Sequence, residues 1–194
     1  MSNVEQIKKL RDLTGAGVVD IKKALDEAAG DEGKALELLK KRGQEKAAKK
    51  LERTAQEGLV VSYVHGSGKV GAMLKLLCET DFVARNDEFK ALATDIAMQI
   101  VAMNPKFVHP EEVDEDLVNK EKEIWKEQLL SEGKPAEMLE KILSGKEKKF
   151  REELALLTQA FVKDPEKTVG DVVSEKIGKI GENIQVGEFI RFEI

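Results

Sequence analysis

Two histidines, one cysteine and one glycine-rich turn are the residues of this 194-residue chain to which covalent or phosphate chemistry could be assigned. His65 leads into Gly66-Ser67-Gly68 and His109 precedes Pro110, each far from a second histidine at metal-ligand spacing, so both are expected as loop residues rather than ligands or bases. Cys78 ends an apolar run with no histidine paired to it in the pattern, which fits a small buried hydrophobe better than a nucleophile. As the sole cysteine it also excludes an intrachain disulfide and a multi-cysteine metal site, in keeping with a reducing compartment. Gly66-Ser67-Gly68 lacks the strand-loop-helix setting of a phosphate loop and is expected to be only a turn. Trp125 on the helical arm could form a partner face, but an aromatic at helical spacing more often belongs to a core. The residue types therefore predict no catalytic group, no metal and no cofactor.

The most unusual segment is Cys78-Glu79-Thr80-Asp81-Phe82-Val83-Ala84-Arg85-Asn86, a polar loop carrying one phenylalanine between an apolar strand and an amphipathic helix. Residue type alone puts Phe82 in the protein's own core, since phenylalanine is usually buried. An outward Phe82 would be a contact for a partner, and the pattern leaves both places open.

The elements around this segment follow from hydrophobic period. Ser2 and Glu5 have capping-box spacing, and Val4, Ile7 and Leu10 share one helical face up to Thr14-Gly15. Val18, Ile21, Leu25 and Ala28 mark a second helix up to Gly30, and Ala35, Leu36, Leu38 and Leu39 a third that ends at Gly43. Three helices in so few residues leave a marginal core, the size of a binding module. Gln44 to Gln56 is expected as a helical linker. The period then changes to two: residues 59–64 and 70–78 alternate around the glycine turn, predicting a β-hairpin. Asn86 or Asp87 caps an amphipathic helix through Phe89, Leu92, Ala93, Ile96, Ile100 and Met103, ended by Asn104-Pro105. Residues 111–157 form a charge-rich helical arm with breaks at Gly133-Lys134-Pro135 and Ser144-Gly145, residues 169–180 a helix, and residues 188–194 a closing strand. The expected fold is α+β: a three-helix module over residues 1–54, then residues 55–194 with a small antiparallel sheet covered by helices.

Charge limits the partners. The net charge of −5 argues against a phosphate backbone as the main target. It is unevenly spread, with 13 Lys and Arg against 10 Asp and Glu in residues 1–54 and 19 against 27 in the rest. No window is apolar enough for a membrane span, and the acid-bearing start Met1-Ser2-Asn3-Val4-Glu5 does not resemble a secretory signal, so a cytoplasmic address is expected.

Thr80-Asp81-Phe82-Val83-Ala84-Arg85-Asn86 resembles the signature of the elongation factor Ts family. Leu10-Arg11-Asp12-Leu13-Thr14-Gly15-Ala16-Gly17 with Asp20-Ile21-Lys22-Lys23-Ala24-Leu25 is similar to that family's amino-terminal motif. Phe161-Val162-Lys163-Asp164 with Ile180-Gly181-Glu182-Asn183-Ile184 is similar to its carboxy-terminal one. The resemblance implies that residues 1–54 are a module like ubiquitin-associated domains and that the chain pairs as a homodimer through its sheet. It implies a guanine nucleotide exchange factor, not an enzyme, acting on elongation factor Tu. Thr80, Asp81, Phe82 and Val83 would enter the GTPase and dislocate its Mg²⁺, while Arg11, Val18, Val19 and Lys22 would dock the module. The chain departs from the family at Val18-Val19, commonly Met-Met, at Ile21, commonly Cys, and at Gly187-Glu188, commonly a basic pair. The rival expectations are an adaptor for the ribosome or RNA using the basic module, and, ranked last, a small hydrolase or transferase using Cys78 or the acidic arm.

Overall fold

A computed structural model of the chain describes residues 3–194. Ser2, half of the expected capping box, lies outside the described residues. The first helices are α1 (Asn3–Thr14), α2 (Val18–Glu27) and α3 (Glu32–Ala48). The end of α1 is set locally: the Thr14 hydroxyl donates to Leu10 O at 2.6 Å, and Gly15 turns the chain at φ +66. Asp31 caps α3 by accepting from the Lys34 amide at 3.0 Å. Leu10, Ile21, Ala24, Leu25, Ala35 and Leu39 meet in one small core, with alanines where α2 and α3 approach.

Helix α3 does not stop at Gly43, as its glycine suggested, but continues to Ala48. A mid-helix glycine costs about 1 kcal/mol, and tertiary packing offsets it here. A β-carbon on Gly178, in a later helix, would lie 3.5 Å from Gly43 O, and Ala47 is buried in the larger core of the body. The expected linker thus begins as the last turn of a packed helix.

Strands β1 (Glu57–His65) and β2 (Val70–Cys78) form the predicted hairpin, with Gly66 and Gly68 at positive φ and the Gly68 amide donating to His65 O at 3.0 Å. A single helical turn, α4 (Asp81–Ala84), follows where a loop was expected. Helix α5 (Asp87–Met103) starts at Asn86, whose side chain accepts from the Glu88 amide at 2.7 Å, and ends at Asn104 with φ 48. Helices α6 (Glu115–Ser131) and α7 (Ala136–Leu154) form the arm, parted at Gly133 (φ 71) and Pro135. Ser144-Gly145 is not a break: α7 runs through it, with Arg151 bonded to Glu147 one turn away and, across the arm, to Glu115. Trp125 and Phe150 join the two arm helices edge to face at 5.5 Å.

A short pair, β3 (Ala160–Phe161) and β4 (Asp164–Thr168), is tied to α5 by buried Gln99, which donates to Ala160 O at 3.1 Å and accepts from the Val162 amide at 2.8 Å. Helix α8 (Val169–Ile180) opens on a Thr168–Asp171 capping box. The last strand, β5 (Ile184–Glu193), starts four residues before the alternation from Glu188 suggested. The early part was hidden because a register irregularity opposite Leu74–Leu76 breaks its period, near Gly187, where a β-carbon would come 3.1 Å from Lys75 O.

The three-stranded sheet has the order β1-β2-β5, antiparallel throughout, so the architecture is α+β. Its inner face, with Ala72, Leu74, Leu76 and Cys78, packs on Phe89, Leu92, Ile96 and Ile100 of α5 and on Val173 and Ile177 of α8. Its outer face carries Val60, Val64, Met73, Ile190 and Phe192, all exposed, with Met73 paired to Ile190 and Gly71 to Phe192. No helix among the described residues is long and apolar enough to cross a membrane.

Candidate functional site

Central strand β2 delivers the chain to Cys78, which is fully buried; its thiol donates to Thr80 O at 3.2 Å. Burial, then the nearby Glu182 carboxylate, pushes the thiol up to about 11, so at neutral pH it is a protonated space-filler rather than a nucleophile. His65, at the end of β1 before the hairpin turn, contacts the Tyr63 hydroxyl at 2.9 Å, and His109 borders a one-turn helix whose Glu112 carboxylate accepts from its amide at 3.3 Å. His109 is a loop residue as expected, whereas His65 is the last residue of β1, paired with Val70, and not part of the turn itself.

Thr80 caps the one-turn helix α4, its hydroxyl oxygen accepting from the Val83 amide at 3.4 Å. Successive side chains on a helix point about 100° apart. With only one side of α4 against the sheet, Val83 and Ala84 pack on the body's core and Phe82 must point out. Phe82 is 79% exposed, among the most exposed large apolar side chains described. Of the two places the sequence left open, the structure takes the outer one. Beside it, half-buried Asp81 pairs with exposed Arg85 at 2.9 Å.

The turn is buttressed from across the chain. Gly181, at φ 94, ends α8 and aims Glu182 and Asn183 at the root of α4. One oxygen of the Glu182 carboxylate accepts from the amides of Glu79 (3.1 Å) and Thr80 (3.0 Å), and the other from the Thr80 hydroxyl (2.7 Å). In return the Glu79 carboxylate accepts from the Asn183 amide at 2.6 Å. The buried Asn183 side chain donates to Leu51 O (3.3 Å) and Arg53 O (2.7 Å), fastening the segment after α3 to the same point. Glu79, Glu182 and Asn183 were not among the residues predicted for the site. The only signal for the latter two was that they lie within the carboxy-terminal motif.

The module residues form a second exposed set. Val18 and Val19 are 40% and 65% exposed on α2, with Lys22 one turn on and Arg11 on α1, while Ile21 between them is buried. The module leans on α8, where Gly15 abuts Lys179. The Lys179 ammonium pairs at 2.6 Å with Glu88 in the first turn of α5, whose carboxyl that hydrogen bond holds below its usual range. The structure thus gathers Thr80, Asp81, Phe82 and Val83 into one turn and leaves Arg11, Val18, Val19 and Lys22 as a separate exposed group on the module.

Two features stand out in this arrangement: a protruding phenylalanine on a braced turn, and a helical module with an apolar exposed patch. The sequence model of the family described as Elongation factor TS matches residues 4–194. The chain belongs to the elongation factor Ts family. Its similarity to individual family members extends over nearly its whole length. It is 50% identical to Elongation factor Ts of Carboxydothermus hydrogenoformans over 194 residues, all of this chain and 89% of that protein. It is 52% identical to that of Fervidobacterium nodosum over 192 residues, 99% of this chain and 98% of that one. It is 50% identical to that of Thermosipho melanesiensis over 194 residues, 100% of this chain and 99% of that one. Elongation factor Ts proteins are translation elongation factors, and the chain takes that role with its family.

Proposed function

We propose that this chain is a guanine nucleotide exchange factor for elongation factor Tu, and that it expels GDP by pressing the α4 turn into the GTPase. The observation that carries the reading is Phe82, 79% exposed on a turn held by hydrogen bonds at its base. An exposed aromatic gains free energy on entering an apolar slot, and a braced one loses little conformational freedom in doing so. Phe82 is the wedge; Thr80, Asp81 and Val83 complete the contact. The metal it disturbs is the partner's Mg²⁺, which needs near-ideal octahedral geometry and bridges nucleotide phosphates to protein, so a small shift of its ligands weakens GDP.

No bond is made or broken. The factor binds the empty GTPase better than the loaded one, and by reciprocity GDP weakens the factor's grip by the same ratio. Arg11, Val18, Val19 and Lys22 dock the module. Valines at 18 and 19 keep that patch apolar but give up the adaptability of methionine. A second copy of the chain covers the outer sheet face of Val60, Val64, Met73, Ile190 and Phe192, a two-fold pairing of identical patches. The test is release of labelled GDP from elongation factor Tu. Stimulation by the wild type and its collapse in Phe82→Ala support the reading; a wild type without effect on GDP release would refute it.

A further inference from the structure

The turn that carries Phe82 is too short to hold its own shape. Helix α4 has four residues, well below the length at which a helix persists in water, and its cap bond from Val83 to Thr80 is long at 3.4 Å. Something outside must fix the direction of Asp81 and Phe82.

We infer that Glu182 is the positioning residue of this turn: its carboxylate clamps the backbone at Glu79 and Thr80 and so sets where the wedge points. The inference rests on the exchange reading above. Three hydrogen bonds converge on one carboxylate, two from consecutive backbone amides and one from the Thr80 hydroxyl, at 2.7 to 3.1 Å. Bonds to an ionised acceptor are about twice as strong as neutral ones, and the clamped residues immediately precede α4. The reciprocal bond from the Asn183 amide to Glu79 makes the link two-way, so the α8–β5 turn and the β2–α4 junction move as one body. Nothing in this clamp buries Phe82. Its effect is to hold an exposed side chain in one direction before the docked turn enters its slot, which removes an ordering cost from the insertion step that follows docking by the module.

Glutamine separates positioning from mere packing. The side-chain amide of Glu182→Gln keeps an oxygen for the two backbone amides and offers an N–H to the Thr80 hydroxyl oxygen, whereas Glu182→Ala removes all three contacts. The experiment compares wild type, Phe82→Ala, Glu182→Ala and Glu182→Gln. It measures the maximal rate of GDP release from elongation factor Tu at saturating factor, the factor concentration at half-saturation, and hydrogen exchange at the Glu79 and Thr80 amides. Releasing even one backbone residue to re-order during insertion, after docking, costs roughly a factor of ten in that step. Glu182→Ala is therefore expected to lower the maximal rate about tenfold with less change in the half-saturating concentration, and to speed exchange at the two amides. Glu182→Gln, which keeps the geometry but not the charge, is expected to recover part of both.

Wild-type rates from Glu182→Ala beside an inactive Phe82→Ala would overturn the clamp and leave the exchange reading intact. A Glu182→Gln as slow as Glu182→Ala would likewise overturn it. A wild type that releases no GDP would instead sink the exchange reading, while protection of the two amides still reports on the clamp. Should Glu182→Ala fail to fold, Thr80→Val, which lacks the hydroxyl, must be slower than Thr80→Ser, which keeps it; equal rates overturn the inference.

Discussion

Gly15 abuts Lys179 so closely that a β-carbon on the glycine would overlap Lys179 Cγ and lie 3.3 Å from Lys179 Cα, and this contact seats the amino-terminal module on α8. The glycine also holds φ +66, where a side chain costs about 1–2 kcal/mol. Gly30 has a similar φ of +83 with open space around it. Gly15→Ala should therefore lower the melting temperature more than Gly30→Ala, and the difference measures the Lys179 contact. Equal shifts in thermal melts would mean that the contact carries no energy.

Phe82→Ala should leave stability nearly untouched. An exposed substitution outside any cap or ion pair stays within about 0.5 kcal/mol, roughly 2 °C in a protein of this size. A core phenylalanine would cost about 3–5 kcal/mol. Calorimetry separates the two, and a large drop in melting temperature would mean that Phe82 is buried in solution.

The outer sheet face predicts a dimer that charge disrupts. Ile190→Asp combined with Phe192→Asp places carboxylates on exposed apolar positions beside Met73 and Gly71. Light scattering should then give a monomer mass for the variant and a dimer mass for the wild type at micromolar concentration. A strictly monomeric wild type would count against the pairing.

The arm should weaken in acid through Glu147. Its carboxyl is held below the ordinary 4.5 by the hydrogen bond from Lys122, then by Arg151. A carboxyl with a depressed folded pKa stabilises the native state above its unfolded value and loses that contribution as pH falls through the folded value. Glu147→Gln should accordingly melt below wild type at pH 7, and the gap should close as pH drops below about 4.5. A gap that does not narrow at all as pH falls below 4.5 would assign the loss to packing rather than charge.

Cys78 should resist alkylation in the native state. Its thiol is buried and pushed up to about 11, so iodoacetamide at pH 8 should label it only at the rate at which the protein opens. Labelling as fast as that of a free thiol would show that the β2 end is open in solution.

Much of this protein was legible in its sequence because many of its elements are decided locally. Period two in residues 59–64 and 70–78 forces a hairpin with one buried face, and the Asn86 cap and Asn104-Pro105 stop delimit α5 wherever it packs. The resemblance carried by Thr80–Asn86 likewise needed no coordinates. Where local signals misled, a distant contact had outweighed them: Gly43 reads as a helix end until Gly178 packs on its backbone, and Ser144-Gly145 reads as a break although α7 runs through it, tied to α6 by Arg151–Glu115 and Trp125–Phe150. Phe82 itself was undecided, since an apolar side chain carries no mark of which way its turn will face. Only the fold settled that, by placing Val83 and Ala84 against the core and leaving the neighbouring direction to solvent. The partnership of Glu182 with Thr80 was beyond any local pattern, because the two are 102 residues apart in the chain and meet only when α8 and β5 close over the end of β2. Periodicity reports which face of an element is apolar; which side chains from different elements finally touch is a property of their packing, and it is there that the α4 turn acquires its support.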